Sequence, residues 1–321
     1  MDFDSTDMGD ISMGECHINN SITSLTTIAQ KHMQKFNIES FFHDVRFQHS
    51  ILSDYTSVLQ HNDIVKSITI DSDKTYLQLR NYDIKIIIPF DNPNSFAYQI
   101  VILGKDVEYE HRMMIHQLAR GKECIFDIGA NIGWYSLFLS KLNPQSKVFA
   151  FEPIPDTYEQ LCANVHLNKL YNTVTNQIAL SDNSQVNVAS EMYYDKMEPG
   201  AASFRNIRER DTVTKVSVPM TTVDAFCSEH DCIPEFIKID VEGSELYVLR
   251  GAENVLKTHH PILFVEILRK WCAKFGHSAM DVVDYLKSIG YDMFILKNNE
   301  LTLISEITED TVDTNFYFLK G

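Results

Sequence analysis

Asp127-Ile-Gly-Ala-Asn-Ile-Gly-Trp-Tyr-Ser136 joins a short apolar run, Cys124–Ile128, to a stripe of Trp134, Leu137, Phe138 and Leu142 at helical spacing. It therefore reads as a strand, a tight turn and the start of a helix. Gly129 and Gly133 permit the turn and a close approach of backbone to a ligand. The helix start offers amide donors with no internal partner. The pattern is G-x-N-x-G, and Asn131 stands where dinucleotide sites place the glycine that lets a pyrophosphate lie against the backbone. A nucleoside-type ligand without a diphosphate fits better.

Moving outward, Lys147–Phe151 is the next apolar strand and Glu152 closes it. A carboxylate there, about twenty residues beyond the last glycine, can accept from both hydroxyls of a ribose. An ordinary acidic residue at a strand end is the plainer alternative. Val174–Leu180 reads as a third strand, with Ser181-Asp182 at its carboxyl end. Asp182 could accept from an adenine amino group, or simply form a turn before Asn183.

From Gly121 onward strands and helices alternate, which implies a mainly parallel sheet with helices on both faces. Asp156 with Glu159, and Ser278 with Asp281, read as capping boxes, and Ser244 as the cap of a helix running to Leu256. Residues 184–220 interrupt the alternation with a polar insertion containing Tyr193-Tyr194 and Gly200-Ala-Ala-Ser-Phe204, which either overhangs a site or forms a solvent loop. Residues 67–90 carry β-branched alternation around Asp71-Ser-Asp73, a small antiparallel sheet. The expected organisation is a disordered tail over 1–20, a helical and β-hairpin extension over 21–100, and an α/β domain over 101–321.

The 321 residues carry 28 basic and 44 acidic side chains, a formal charge of −16. That balance argues against a broad grip on nucleic acid or an anionic membrane. Arg205, Arg208 and Arg210 could form a local patch, but a solvated loop paired with Glu209 and Asp211 is the plainer reading. No apolar run is long enough to span a bilayer. The acidic opening residues are not those of a secretory signal. Six scattered cysteines without a C-x-x-C pair fit reduced thiols in a cytoplasmic protein. Nothing in the sequence sets an oligomeric state.

Lys238-Ile-Asp-Val-Glu-Gly-Ser-Glu245 ends a further strand with carboxylates. Alternation places Lys238, Asp240 and Glu242 on one side, at the carboxyl edge where open α/β sheets bind ligands. Phe126–Gly133, Phe151-Glu-Pro153, Ala179-Leu-Ser-Asp182, Phe236–Glu245, Val248-Leu-Arg-Gly-Ala252 and Pro261–Glu266, in unbroken order over roughly 105–300, resemble the FkbM family of methyltransferases.

The resemblance implies a Rossmann-like class I methyltransferase fold, seven-stranded and mainly parallel with the last strand antiparallel. It also implies S-adenosylmethionine as methyl donor and a hydroxyl acceptor, commonly on a sugar-bearing small molecule. By position, Asp127, Gly129, Asn131 and Gly133 would hold the methionine part, Glu152 with Pro153 the ribose, and Ser181 and Asp182 the adenine. Glu110 could contact the methionine ammonium, with Glu108 an equal rival and a surface salt bridge the plainer reading of either. Asp240 and Glu242 would position and deprotonate the acceptor hydroxyl, with Glu266 a further contact. A competing reading has Glu242 capping the next helix and Asp240 paired with Lys238. Mg2+ among Asp240, Glu242 and Glu266 suits the donor chemistry, but no metal is assigned. The rival functions are a nicotinamide-dependent oxidoreductase and a non-catalytic binding protein on the same fold.

Overall fold

The computed structural model describes residues 25–34, 37–89, 96–104, 108–182, 189–195, 202–209 and 213–321. The tail expected over 1–20 lies outside them, as do Cys16, Gly200, Ala201 and Arg210. The chain divides into two compact units, Met1–Asn62 and Asp63–Gly321. The first contains α1 (Leu25–Gln34) and α2 (Ile38–Gln60). Asn37 caps α2, its side chain accepting from the Ser40 amide at 2.9 Å, which satisfies one of the donors a helix start leaves open.

The second unit opens with β1 (Val65–Ile70), β2 (Thr75–Leu79) and β3 (Lys85–Ile88), an antiparallel sheet in that order. Asp71 Oδ1 accepts from the Asp73 and Lys74 amides and so shapes the first turn. The extension expected over 21–100 therefore divides at 62/63, and this sheet stands with the larger unit. Two asparagines explain why. Asn168 exchanges hydrogen bonds with the Lys85 main chain, and buried Asn164 accepts from the Ile87 amide at 2.8 Å. The other end of Asn164 donates to the Ile132 carbonyl.

After α3 (Phe96–Leu103) and α4 (Tyr109–Ala119) the main alternation begins: β4 (Cys124–Ile128), α5 (Trp134–Leu142), β5 (Lys147–Phe151), α6 (Pro155–Leu167), β6 (Thr173–Asn176), β7 (Ala179–Leu180), β8 (Ala189–Tyr194), β9 (Thr214–Thr221), α7 (Val223–His230) and β10 (Phe236–Ile239). It continues through α8 (Glu245–Arg250), α9 (Glu253–His259), β11 (Ile262–Glu266), α10 (Arg269–Lys274), α11 (Ala279–Ser288), β12 (Tyr291–Lys297), β13 (Glu300–Ile304) and β14 (Asn315–Lys320).

Among the described residues the central sheet has eight strands in the order β13-β12-β14-β11-β10-β4-β5-β6. The five from β11 to β6 are mutually parallel, and β14 runs antiparallel between β11 and β12. Leaving out β13, this is the class I methyltransferase arrangement anticipated above. The eighth strand, β13, folds back on β12 as an edge hairpin. The core is apolar on both faces of the sheet, with Phe126, Phe149, Phe151, Phe226, Ile237 and Val265 in one cluster.

Several local expectations are corrected. The third strand is two strands: β6 stays in the main sheet, whereas β7 pairs in parallel with β9 in a separate sheet, β7-β9-β8. Ile154, not Asp156, stands at the N-cap of α6, and Pro155 takes the first helical position, where its missing N–H costs nothing. The helix expected from Ser244 to Leu256 breaks at Gly251 into α8 and α9. Gly251 lies against the Ser181 carbonyl so closely that a Cβ there would sit 2.0 Å from the oxygen. The Ser278–Asp281 capping box is present. Among the described residues no helix is long and apolar enough to cross a membrane.

Candidate functional site

The strand order reverses between β4 and β10, and a cavity opens beyond their carboxyl ends, the usual place for ligands in open α/β sheets. The backbone segments that follow β4 and β10 come very close there. A Cβ on Gly129, at φ +75°, would lie 1.8 Å from the Asp240 carbonyl oxygen, so only glycine fits. Asn131 adopts a left-handed conformation (φ 50°), which asparagine tolerates better than most residues. Its amide then points at Glu152.

Glu152 is 6% exposed and lines the cavity. Its Oε2 accepts from the Asn131 amide at 2.9 Å and its Oε1 from the Ile154 amide at 3.0 Å. Burial nevertheless pushes its pKa up to about 7. Pro153, Phe151, Ile178, Ala179 and Leu180 continue the wall at this end. Met192 of β8 and Ala202 and Phe204 of the following segment cover it, so part of the insertion overhangs the cavity.

Asp127 and Gly133 stand behind the turn instead of facing the cavity. Asp127 is fully buried, accepts from Ser136 Oγ at 2.5 Å and lies 3.2 Å from Lys238 Nζ. Lys238 also donates to the Gly129 carbonyl (2.8 Å) and pairs with Asp240 at 3.5 Å. Burial works against this ammonium, but Asp127 and Asp240 together hold it protonated, above the ordinary lysine range. One buried cation therefore ties β4, the turn and β10 together. Gly133 starts α5, where a Cβ would press on Leu161 at 2.8 Å.

At the other end β10 stops at Ile239, so strand alternation does not carry Lys238, Asp240 and Glu242 onto one side. Lys238 points into the protein, while Asp240 and Glu242 line the cavity from the turn that follows. Glu242 is left-handed (φ 52°) and is followed by Gly243 (φ 98°). The turn is closed by Glu245, whose Oε1 accepts from the Val241 and Gly243 amides at 3.2 and 3.0 Å. Glu245 thus does the work expected of Ser244, whose hydroxyl donates instead to the Val241 carbonyl. Glu242 does not cap the helix.

The carboxyls here crowd one another. Burial, then Asp240, raises Glu242 to about 8, and one of its oxygens is buried without a hydrogen-bond partner. Glu266, at the end of β11, is pushed well above the carboxylate range by burial and by Asp240, with which it shares a hydrogen bond; it holds the proton. Glu245 rises to about 7, chiefly by burial.

Glu110 is exposed on the first turn of α4 and does not reach this region. Glu108 does. Its carboxylate accepts from Trp134 Nε1 at 2.9 Å, and burial raises its pKa, with Asp240 and Lys238 among its electrostatic neighbours. Ser181 is buried with its amide on the Thr221 carbonyl, and Asp182 is exposed. Neither lines the cavity, although Ala179 and Leu180 just before them do. Among the described residues no group of three His, Cys, Asp or Glu side chains is arranged to hold a metal ion.

The Methyltransferase FkbM domain model matches residues 127–293. The chain is 25% identical over 213 residues to hexuronic acid methyltransferase AglP of Haloferax volcanii, covering 64% of this chain and 73% of that protein. It is 31% identical over 159 residues to methyltransferase sdnD of Sordaria araneosa (40% and 60%). To 31-O-demethyl-FK506 methyltransferase FkbM of Streptomyces tacrolimicus it is 28% identical over 161 residues (42% and 61%). The chain thus spans about three fifths of the length of these last two. The crystal structure of an FkbM methyltransferase from Methylobacillus flagellatus KT aligns with a TM-score of 0.41 and 19% identity, over 62% of this chain and 44% of that one. With the strand order and the site on one cavity, the domain match over 127–293 makes this chain a member of the FkbM methyltransferase family.

Proposed function

We propose that the chain is an S-adenosylmethionine-dependent O-methyltransferase acting on a hydroxyl of a small molecule, a sugar or a glycosylated metabolite. The observation that carries this reading is a single cavity with Glu152 at one end and Asp240 and Glu242 at the other. The residues fit the donor. Each Glu152 oxygen gives one lone pair to a backbone amide and keeps another for a ribose hydroxyl. Pro153, Ile178 and Leu180 offer apolar walls for the base. The turn at Gly129 and Asn131 would take the methionine part, with Asp127 acting behind it through Lys238. When bound, S-adenosylmethionine supplies an electrophilic methyl group.

At the far end Glu242 is the group that removes the hydroxyl proton. A carboxyl near pH 8 is a stronger base than an ordinary glutamate and still ionises under physiological conditions. Asp240, held by Lys238 and by the Glu266 proton, orients the same hydroxyl. Glu266 contributes a hydrogen bond here and no charge. Alignment of the attacking oxygen supplies much of the remaining acceleration. The sugar class is supported by AglP, whose name specifies hexuronic acid. Free thiols at Cys124, Cys162, Cys227, Cys232 and Cys272 suit the cytoplasm.

Calorimetric titration with S-adenosylmethionine and with NAD tests the cofactor. The first should bind, and Glu152→Ala should abolish that binding. Binding of NAD alone would replace this reading with the nicotinamide-dependent oxidoreductase. Incubation with labelled donor and a panel of glycosides, read by mass, tests the acceptor. A panel that gains no methyl group sinks the sugar assignment.

A further inference from the structure

Ala202-Ser203-Phe204 serves two parts of the site at once. Ala202 and Phe204 line the cavity. Ser203 between them is fully buried, and its hydroxyl donates to the Glu242 carbonyl at 3.0 Å. Strand alternation separates the two roles. Ser203 exchanges both main-chain hydrogen bonds with Tyr193 of β8, at 2.8 and 3.1 Å, so this short piece lies antiparallel beside that strand. One side chain, 39 positions away in sequence, therefore joins the wall of the cavity to the turn that carries Glu242.

That turn needs holding. Glu242 is left-handed at φ 52°, a conformation that a residue other than glycine keeps only where its surroundings impose it. The peptide unit between Glu242 and Gly243 has two polar ends. Its N–H donates to Glu245 Oε1 at 3.0 Å, and its C=O accepts from Ser203. The first partner lies two residues on and belongs to the turn itself, whereas the second comes from the insertion. Rotation of this peptide would break both bonds and change ψ of Glu242 and φ of Gly243, a change that glycine at the second position permits. Ser203 supplies the half of the restraint that the turn cannot make for itself. The next carbonyl, that of Gly243, accepts from His277 Nε2 at 3.2 Å, and a Cβ on Gly243 would lie 3.0 Å from both Trp271 and Phe275. These residues fix the back of the turn and leave the Glu242 carbonyl to Ser203.

We propose that Ser203 is a positioning residue for the reaction: it fixes the Glu242–Gly243 peptide and so couples the wall formed by Ala202 and Phe204 to the aim of the Glu242 carboxyl. The inference rests on reading Glu242 as the base. An acceptor packed against Ala202 and Phe204 touches the same short piece whose middle residue holds the base, so both sides of the acceptor site are set as one unit. Without the hydroxyl, the turn gains a second peptide orientation and the carboxyl reaches water. Misalignment of the base then slows transfer.

Glutamate labelled with 13C at the side-chain carboxyl reports on Glu242 with neither donor nor acceptor present. In the parent one carboxyl resonance should titrate near 8, and Glu242→Gln identifies it by its disappearance. In Ser203→Ala the midpoint should fall by about one pH unit or more towards the ordinary 4.5, because release of the carboxyl undoes the burial that raised it. Ser203→Thr, which keeps the hydroxyl, should titrate like the parent. Asp240, Glu245, Glu266, Arg208 and Lys270, the charged and titratable neighbours of Glu242, are unaltered in these proteins, so a shift reports the position of the carboxyl. In turnover assays Ser203→Ala should lower kcat roughly three- to tenfold, the effect of one hydrogen bond. The KM for S-adenosylmethionine should stay unchanged, and the rise of turnover with pH should move to lower pH.

A merely structural role would lower the melting temperature and leave the carboxyl titration where it is. If Ser203→Ala does not fold, Ser203→Cys, close to serine in size and a weaker donor, takes its place with a shift in the same direction. The proposal is overturned if the folded Ser203→Ala or Ser203→Cys variant titrates as the parent does, or if Ser203→Thr titrates as Ser203→Ala does. A parent carboxyl that already titrates near 4.5 also overturns it, since Glu242 would then not be held in its buried place. A parent that transfers no methyl group would count against the proposed function alone, because the carboxyl titration involves neither substrate.

Discussion

The two ends of the cavity are positioned by different means. At the Glu152 end the main chain does the positioning: a left-handed Asn131, a glycine that nothing can replace, and amides that reach both oxygens of one carboxylate. At the Asp240 end side chains from β10, β11, α8 and the turn before it converge, and their carboxyls compete for protons. A backbone-built end is rigid and indifferent to most side-chain changes. A side-chain-built end is adjustable, and its properties depend on pH. The contrast suits the proposed function, with the donor at the first end and the acceptor at the second.

The largest effect that would break this contrast is at Gly129. Gly129→Ala places a methyl group 1.8 Å from the Asp240 carbonyl, and β4 and β10 must part. A loss of about 4 kcal/mol or more, or no folded protein at all, is the expected outcome in urea melts. Next come Asp240→Asn and Glu242→Gln, each expected to lower kcat by on the order of a hundredfold or more, with donor affinity retained in calorimetry. In the parent, turnover should climb as pH rises through about 8, where Glu242 loses its proton, and Glu242→Gln should flatten that limb. Retained turnover in both variants would remove the acid end from the chemistry.

A smaller effect concerns Glu245. Its folded pKa of about 7 lies above the ordinary value of 4.5, so the native state holds this proton more tightly than the unfolded chain. The stability it confers is complete below about 4.5 and is lost as pH rises through about 7. Glu245→Gln keeps the oxygen that closes the turn but cannot titrate. Urea melts at pH 5 and pH 8 should differ less in the variant than in the parent, by on the order of 1 to 3 kcal/mol. The smallest effect is expected at Asn131→Gly. It retains the amide to Glu152 and loses only the side-chain bond to the Ile132 amide, so stability should fall by less than about 1 kcal/mol. A large loss of donor binding there would show that the Glu152 end depends on a side chain after all.

The same contrast explains what could be read from the sequence. The Glu152 end was legible because its parts are local: two glycines, an asparagine and a strand-end carboxylate at fixed spacing. Asp240 and Glu242 were legible as a strand end, yet the side each faces was not, since β10 stops at Ile239 and the turn re-aims both. Glu108 and Glu110 differ by two positions on the approach to α4, and whether a side chain there turns inward depends on Trp134, far along the chain. Val174–Leu180 looked continuous because β-branched and apolar residues suit either sheet. Its division into β6 and β7 depends on pairing with β9, which lies far along the chain. The proton on Glu266 has no local signature, because it arises only when β10 and β11 lie side by side.

The clasp between the small sheet and α6 sets where the chain can be shortened. Asn164 receives the Ile87 amide on one atom and gives a hydrogen bond to Ile132 with the other, so β3 and the Gly129–Gly133 turn share a single side chain. Cutting at residue 100 would leave the buried Asn164 oxygen without its donor, at a cost of about 1–3 kcal/mol, paid at the residue that steadies the turn. A cut at 62/63, where the two units divide, keeps β1 to β3 and so leaves Asn164 both of its partners.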